Sequence, residues 1–250
     1  MTLKKSKILL FCTCLLVFSC HGNELIINDL TLKAIPDNLA YNGNLIEAKK
    51  WTDKNGDNIL IISRNGPYRT PDTTSTDNSF GNVELHAYQY LIINGSETLL
   101  WQTSEIIKDC DTDMWIEIFP NSTSITDLDK NGVTETTIVY RYSCKGGVDP
   151  SNMKVVLHEG KKLYCLQGLM YSDYEISKID KTTFVFNLQN VTDEETKKFI
   201  KRHYAIPAGR YINDLDFKNA PLEFLALSRV KWIEYCDKDS VKQFYPADYQ

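Results

Sequence analysis

The sequence predicts an α+β fold, a mainly antiparallel β body followed by two C-terminal helices. Three observations carry that expectation. Five Asn-Gly pairs, at 42–43, 55–56, 65–66, 94–95 and 131–132, punctuate the chain, and Asn-Gly, which tolerates positive φ, is the strongest short-range hairpin signal. Apolar, β-branched or alternating runs lie between and beyond these pairs, as strands require. In the last quarter the apolar period lengthens from two to about 3.6, the spacing of a helix.

The chain opens with an address. Lys4, Lys5 and Lys7 precede an apolar stretch from Ile8 to Phe18, broken only by Thr13, which is the layout of a secretory signal peptide. The stretch is too short to span a hydrocarbon core, which takes about 20 apolar residues. Val17-Phe18-Ser19-Cys20 follows the order of a bacterial lipobox: aliphatic, variable, small, Cys. Cleavage before Cys20 and acylation of its sulfur and amino group supply two or more acyl chains. Each buried CH₂ contributes about 0.8 kcal/mol, so such an anchor is stable. A plain secretory signal with Cys20 as a chance residue is the competing reading. The expected organisation is a signal peptide over 1–19, a lipidated tether and lead-in over 20–34, and one β-rich domain with C-terminal helices over 35–250. The expected location is the bacterial cell envelope, tethered to a membrane through lipid.

Charge limits the partners. The 250 residues carry 28 Lys+Arg and 33 Asp+Glu, a net charge of −5. From residue 20 onward, 25 basic and 33 acidic residues give −8. No basic excess is available to neutralise phosphates, which argues against nucleic acid as a partner. With 42% hydrophobic and 24% charged residues, the chain has the composition of a folded protein.

Strands are expected at 59–63, 83–93, 98–102, 114–119, 134–143, 153–158, 162–167 and 183–188. The run from Leu91 through Asn94-Gly95 to Trp101 reads as one hairpin, and 153–167, turning at Glu159-Gly160, reads as another. Residues 66–82, rich in Pro, Thr, Ser, Asp and Gly, are expected as a long irregular loop. Thr192-Asp193-Glu194-Glu195 is a capping box opening the first helix. Lys197, Lys198, Lys201, Arg202 and His203 complement its dipole before Pro207. A second helix is expected over 220–235, with Leu222, Leu225, Ala226, Val230, Trp232, Ile233 and Cys236 on one apolar stripe. Arg229 lies inside that stripe; its expected role is to cover apolar surface while its head reaches water, with a buried ion pair as the alternative.

The most informative segment runs from Asp127 to Glu135. Asp127, Asp129, Asn131 and Glu135 place oxygen ligands at positions 1, 3, 5 and 9, Val133 offers a carbonyl at 7, and Gly132 stands at 6. That is the pattern of a calcium loop. Position 12, where an EF-hand needs an acid, is Ile138. The pattern looks instead like the loops that open strands in propeller-repeat proteins. A metal-free β-turn, with Asp127, Asp129 and Asn131 capping their own backbone, fits the spacing equally well. Asp53-Lys54-Asn55-Gly56-Asp57 repeats the turn before the next strand without the ligands.

Four cysteines follow Cys20: Cys110, Cys144, Cys165 and Cys236. A secreted context permits disulfides. An antiparallel pair with Phe119 opposite Thr134 brings Cys110 within one residue of Cys144, so a Cys110–Cys144 bridge is expected. Cys165–Cys236 is then the default second bridge, with buried free thiols as the alternative. Asp109, Asp111 and Asp113 surround Cys110, about 30 Å along the strands from the 127–135 loop, and are expected to be a solvated loop.

Gly-x-Ser-x-Gly, Gly-x-x-x-x-Gly-Lys and Gly-x-Gly-x-x-Gly do not occur in the sequence. His21, His86, His158 and His203 form no local zinc pattern. His86 is expected on the polar face of a strand. A glycosidase pair of carboxylates needs only spatial proximity, so dispersed acids leave that chemistry open.

Several segments together resemble a family. They are Trp51-Thr52-Asp53-Lys54-Asn55-Gly56-Asp57-Asn58, Leu100-Trp101, Asp109-Cys110, and Thr126 through Glu135, with Tyr140 to Cys144 and Asp149-Pro150 to Met153-Lys154. This set is similar to that of a poorly characterised family of Bacteroidota surface polysaccharide biosynthesis proteins, over roughly residues 35–170. The resemblance implies a role in making or exporting lipopolysaccharide or capsule, and brings no catalytic residue with it. The leading expectation is a non-enzymatic envelope lipoprotein that supports surface polysaccharide assembly, with glycan or envelope proteins as partners. The alternatives are a calcium-dependent ligand- or protein-binding lipoprotein and a glycan-active enzyme using dispersed carboxylates.

Overall fold

The computed structural model describes residues 25–71, 79–146, 149–171, 179–203 and 205–239. Residues 1–19, where a signal peptide is expected, and Cys20, the expected site of lipidation, lie outside the described residues. The body is mainly antiparallel β with two C-terminal helices, as expected. Its strands form two sheets. The first is a meander in the order β1 (Asn28–Asp29), β2 (Asn44–Asp53), β3 (Gly56–Pro71), β4 (Ser79–Ile93), β5 (Ser96–Cys110). The second runs β10 (Lys162–Leu169), β9 (Asn152–Glu159), β8 (Glu135–Cys144), β6 (Met114–Ile118), with β7 (Ser124–Thr126) also paired to β8.

The sheets face each other across Trp51, Leu60, Ile62, Leu85, Trp101, Ile116, Ile138 and Val156. Each sheet also has an apolar outer face. Ile59, Ile61, Tyr88 and Tyr90 are covered by Ile35 and Leu39 of the N-terminal segment. Val139, Val155, Leu157, Tyr164 and Leu166 are covered by Phe217, Phe224 and Trp232. Burial on both sides explains why β3 carries an unbroken Ile59-Leu60-Ile61-Ile62 rather than an alternating pattern. The lead-in joins this body directly: β1 pairs with β2, and Leu30 N–H donates to the Ala48 carbonyl at 2.8 Å.

Both predicted hairpins form. Asn94 and Gly95 have φ of 51° and 78°, the two positive values a type I′ turn needs. Three strand expectations require correction. Residues 66–71 and 79–82 continue the ladder, with Tyr68 opposite Asn82 and Thr70 opposite Phe80. A register shift between Asn65 and Tyr68 takes up Pro67, which has no N–H to give, as a bulge. Residues 183–188 form no strand. Thr182 and Thr183 donate to Asp180, and Asn187 makes only an isolated bridge to Tyr211. The β6–β8 register puts Met114 opposite Cys144 and Ile118 opposite Tyr140, not Phe119 opposite Thr134. Pro120 ends that ladder, and pairing resumes only at β7, with Ser124 opposite Thr137.

The first helix, α1 (Glu194–His203), is capped one residue later than the box suggests: Asp193 Oδ1 accepts from the Thr196 N–H at 2.7 Å. The second, α2 (Leu222–Tyr235), buries Phe224, Ser228, Trp232 and Tyr235. Leu222, Ala226 and Val230 of the expected stripe are exposed. The helix is rotated so that its aromatic rings, which bury the largest area per residue, meet the sheet. Arg229 lies beside the buried Tyr211, donating to its hydroxyl at 3.2 Å, while its half-exposed guanidinium pairs with Asp214 at 2.6 Å.

Cys110 closes β5 and Cys144 closes β8. Their Cα atoms are 5.8 Å apart and the pair is a disulfide joining the two sheets. The expected second bridge does not form; Cys165 and Cys236 are free thiols. Strand alternation keeps them apart. Cys165 points toward the inter-sheet core, whereas Cys236 packs among the helix-side residues on the other face of the same sheet. Burial pushes both thiols up to about 12.

Candidate functional site

The 127–135 loop and the β2–β3 turn meet at one end of the sandwich. Asp53 starts an Asx turn with one oxygen, accepting from the Asn55 N–H at 2.8 Å. Its other oxygen accepts from the Thr134 N–H at 3.1 Å and the Thr134 hydroxyl at 2.9 Å, 81 residues away in sequence. The indole N–H of Trp51 donates to the same hydroxyl at 2.7 Å. Lys54 N–H donates to the Gly132 carbonyl at 2.8 Å. Gly132 has φ of 85°, and a Cβ there would meet the Lys54 side chain at 3.2 Å. Only glycine satisfies both the turn and this approach. The two Asp-Lys-Asn-Gly copies therefore clasp each other. A groove of about 870 Å³ lies along their junction, lined by Leu25, Lys50, Thr52, Asp53, Lys54 and Asp127, among others.

Within the loop, Asp127 accepts from the Gly132 N–H at 3.2 and 3.3 Å. Asp129 accepts from the Asn131 N–H at 3.1 Å, and Asn131 from the Val133 N–H at 2.7 Å. Asn131 also donates to Glu159 on β9 at 2.7 Å. The chain then folds back over the first residue of β8. Glu135 is fully buried, accepting at Oε2 from the Thr126 hydroxyl and the Leu128 N–H, both at 2.9 Å. Desolvation pushes its carboxyl up to about 7. Asp127, Asp129 and Glu135 each bring a carboxylate oxygen within 4.8 Å of the others, so three of the expected ligands converge. Asp109, Asp111 and Asp113 are exposed near the other end of β8.

No family model, curated protein or solved structure matches the chain. Among the described residues, no helix is long and apolar enough to cross a membrane.

Behind the clasp lies a polar seam between the sheets that the sequence did not reveal. Gln89 Nε2 donates to Asn58 at 2.9 Å, and Gln89 Oε1 accepts from Trp101 Nε1 at 2.8 Å and Thr136 Oγ1 at 2.9 Å. His158 stacks flat on Trp101, with ring centroids 3.8 Å apart. Neither ring nitrogen of His158 has a hydrogen-bond partner among the described residues. Burial lowers its pKa to about 4. His86, expected on a polar face, is likewise buried, held by Ser104 and Glu84 at 2.8 and 3.0 Å. The outer side of sheet 1 is not solvent there, so its ring had to find internal partners.

The sign of the His158 effect follows from linkage. Between about pH 6.5 and 4 the unfolded chain takes up a proton that the folded ring refuses, so this contribution is present above 6.5 and lost as pH falls. The loss approaches about 3 kcal/mol at 1.36 kcal/mol per unit. His158→Phe keeps the stack and removes the proton site. Urea denaturation from pH 7 to 4 should show the variant losing less stability than the parent; parallel curves would rule the effect out.

Proposed function

We propose that the chain is a lipid-anchored, non-enzymatic accessory or binding protein of the bacterial cell envelope that supports surface polysaccharide assembly. The observation that carries this reading is the groove at the clasp. Two of the segments that carry the family resemblance, the turn after Trp51 and the loop ending at Glu135, build it together although 81 residues separate the contacting pair. Lys50, Lys54, Thr52, Asp53 and Asp127 present donors and acceptors of both signs along it, a lining suited to a polar ligand such as a glycan or to an envelope protein. Leu25 lines the same groove. Four residues separate it from Cys20, and the five Cα-to-Cα steps reach at most about 18 Å, so acylation at Cys20 keeps the groove close to the membrane surface.

Deletion of the gene should alter the surface glycan profile, and complementation with Cys20→Ala, which shifts the protein from the membrane to the soluble fraction, should fail to restore it. An unchanged profile on deletion would remove the polysaccharide role. Full restoration by Cys20→Ala would remove the need for the anchor.

A further inference from the structure

We propose that Asp127, Asp129 and Glu135, with the side-chain oxygen of Asn131 and the carbonyl oxygen of Val133, form a calcium site at the start of β8. Acidic clusters are common on protein surfaces, and proximity alone marks nothing. Glu135 sets this cluster apart. Its side chain is 0% exposed. Oε2 is satisfied by Thr126 and Leu128, whereas the buried Oε1 has no hydrogen-bond partner among the described residues. Asp127 and Asp129 lie within 4.8 Å, and among the described residues none of the three acids is in an ion pair. An unpaired buried acceptor beside two like charges is unfavourable on both counts. A cation held among these oxygens supplies the missing partner and cancels the repulsion.

The donor set selects the ion. Every ligand is oxygen, and neither Cys nor His takes part, which fits a hard cation rather than zinc or copper. Alternate positions along a turning loop wrap one ion with several oxygens, the flexible coordination of calcium. Magnesium demands a near-ideal octahedron and retains water. The hydrogen bonds already in the loop do not compete. Asp127 and Asp129 each accept from a backbone N–H, and Asp129 also accepts from Asn131 Nδ2 at 2.9 Å. An ionised carboxylate has about four acceptor positions, so both keep lone pairs for an ion. The backbone thus positions the carboxylates before the ion arrives. Asp127 also lines the groove, so a bound ion would stiffen one wall of it.

The test is a calorimetric titration of the full-length chain in detergent micelles with calcium chloride, after chelator treatment, together with thermal unfolding. We expect one ion per chain and, at a hundredfold excess over Kd, a Tm rise of about 5–10 °C. Glu135→Gln should raise the Tm of the metal-free protein, because it removes a buried charge, and should abolish the calcium-dependent rise. Asp111→Asn, at the far end of the sandwich, should leave both unchanged. Absence of heat and of any Tm shift at millimolar calcium in a cooperatively unfolding protein would overturn the site. A Glu135→Gln protein that keeps the shift would do the same, and an equal response to magnesium would overturn the choice of ion.

Discussion

Replacing Arg141 with alanine should destabilise the protein by about 3–5 kcal/mol, the range found when one partner of a buried charge pair is removed. The Arg141 side chain is 2% exposed, on the face of β8 that meets the C-terminal helices. Nη2 pairs with Glu117 at 2.9 Å and Nη1 with Asp239 at 2.6 Å. Asp239 in turn accepts from the Ser151 N–H and hydroxyl, both at 2.7 Å, and the Ser151 hydroxyl accepts from Trp115 Nε1 at 3.0 Å. Desolvation raises the Glu117 pKa even with the guanidinium beside it. Arg141→Ala therefore leaves two buried carboxylates facing each other and frees the segment after α2. Urea denaturation at pH 7 measures the loss, and a value under about 1 kcal/mol would contradict the assignment. A triple variant, Arg141→Met with Glu117→Gln and Asp239→Asn, should recover most of it. The penalty comes from stranded charge, not from the absence of the pair itself.

Much of this architecture was legible because its signals are local. Asn94-Gly95 and Gly160 sit between runs of strand-forming residues, and a turn of two residues leaves the chain little choice but a hairpin. The second hairpin turns at Gly160-Lys161, one residue later than expected, because Glu159 still pairs with Lys162. The change of period after residue 190 marked both helices. What failed was information held by distant residues. Ile59-Leu60-Ile61-Ile62 and Val155-Val156-Leu157 are apolar on both faces, so alternation could not show which side met which layer. For the same reason Cys165 and Cys236 looked like natural partners, although a sheet separates them. On α2 the expected stripe held Trp232 and Cys236, which are buried, but also Leu222, Ala226 and Val230, which are exposed; the sheet took Phe224 and Tyr235 in their place. The loop spacing identified Asp127, Asp129 and Glu135 as neighbours. It could not show that Glu135 is buried, since that depends on Leu128 and Thr126 folding over it. Nor could it show that Asp53, which looked like part of a turn alone, holds Thr134.

The Cys110–Cys144 pair was anticipated through a register that does not exist, and the reason it forms nonetheless sets the second large effect. Cys110 is the last residue of β5, and the short 111–113 connection brings it beside Met114, which faces Cys144 across the β6–β8 ladder. Cys110 ends β5 just before β6 and Cys144 ends β8, so both stand at this end of the sandwich in the observed register as in the expected one, and the conclusion survived an incorrect pairing. The bond links the edge strand of one sheet to the central ladder of the other, with a sequence separation of 34. For a loop of that size, the chain-entropy account gives about 4 kcal/mol of stabilisation at 25 °C. Cys110→Ser/Cys144→Ser should therefore lower stability by about 2–4 kcal/mol in urea denaturation. Adding reductant to the parent protein should have the same effect and should not destabilise the double variant further. Cys165 and Cys236, with thiols pushed up to about 12, should stay unreactive toward alkylating agents until the chain unfolds. Reductant that weakens the double variant as much as the parent would place the stabilising bridge elsewhere. Because this bridge and the Asp53–Thr134 clasp hold opposite ends of the same sheet pair, losing one should leave the other end closed. Hydrogen exchange in the double variant should therefore quicken first at the β5–β6 connection, while protection at Thr134 and Glu135 persists.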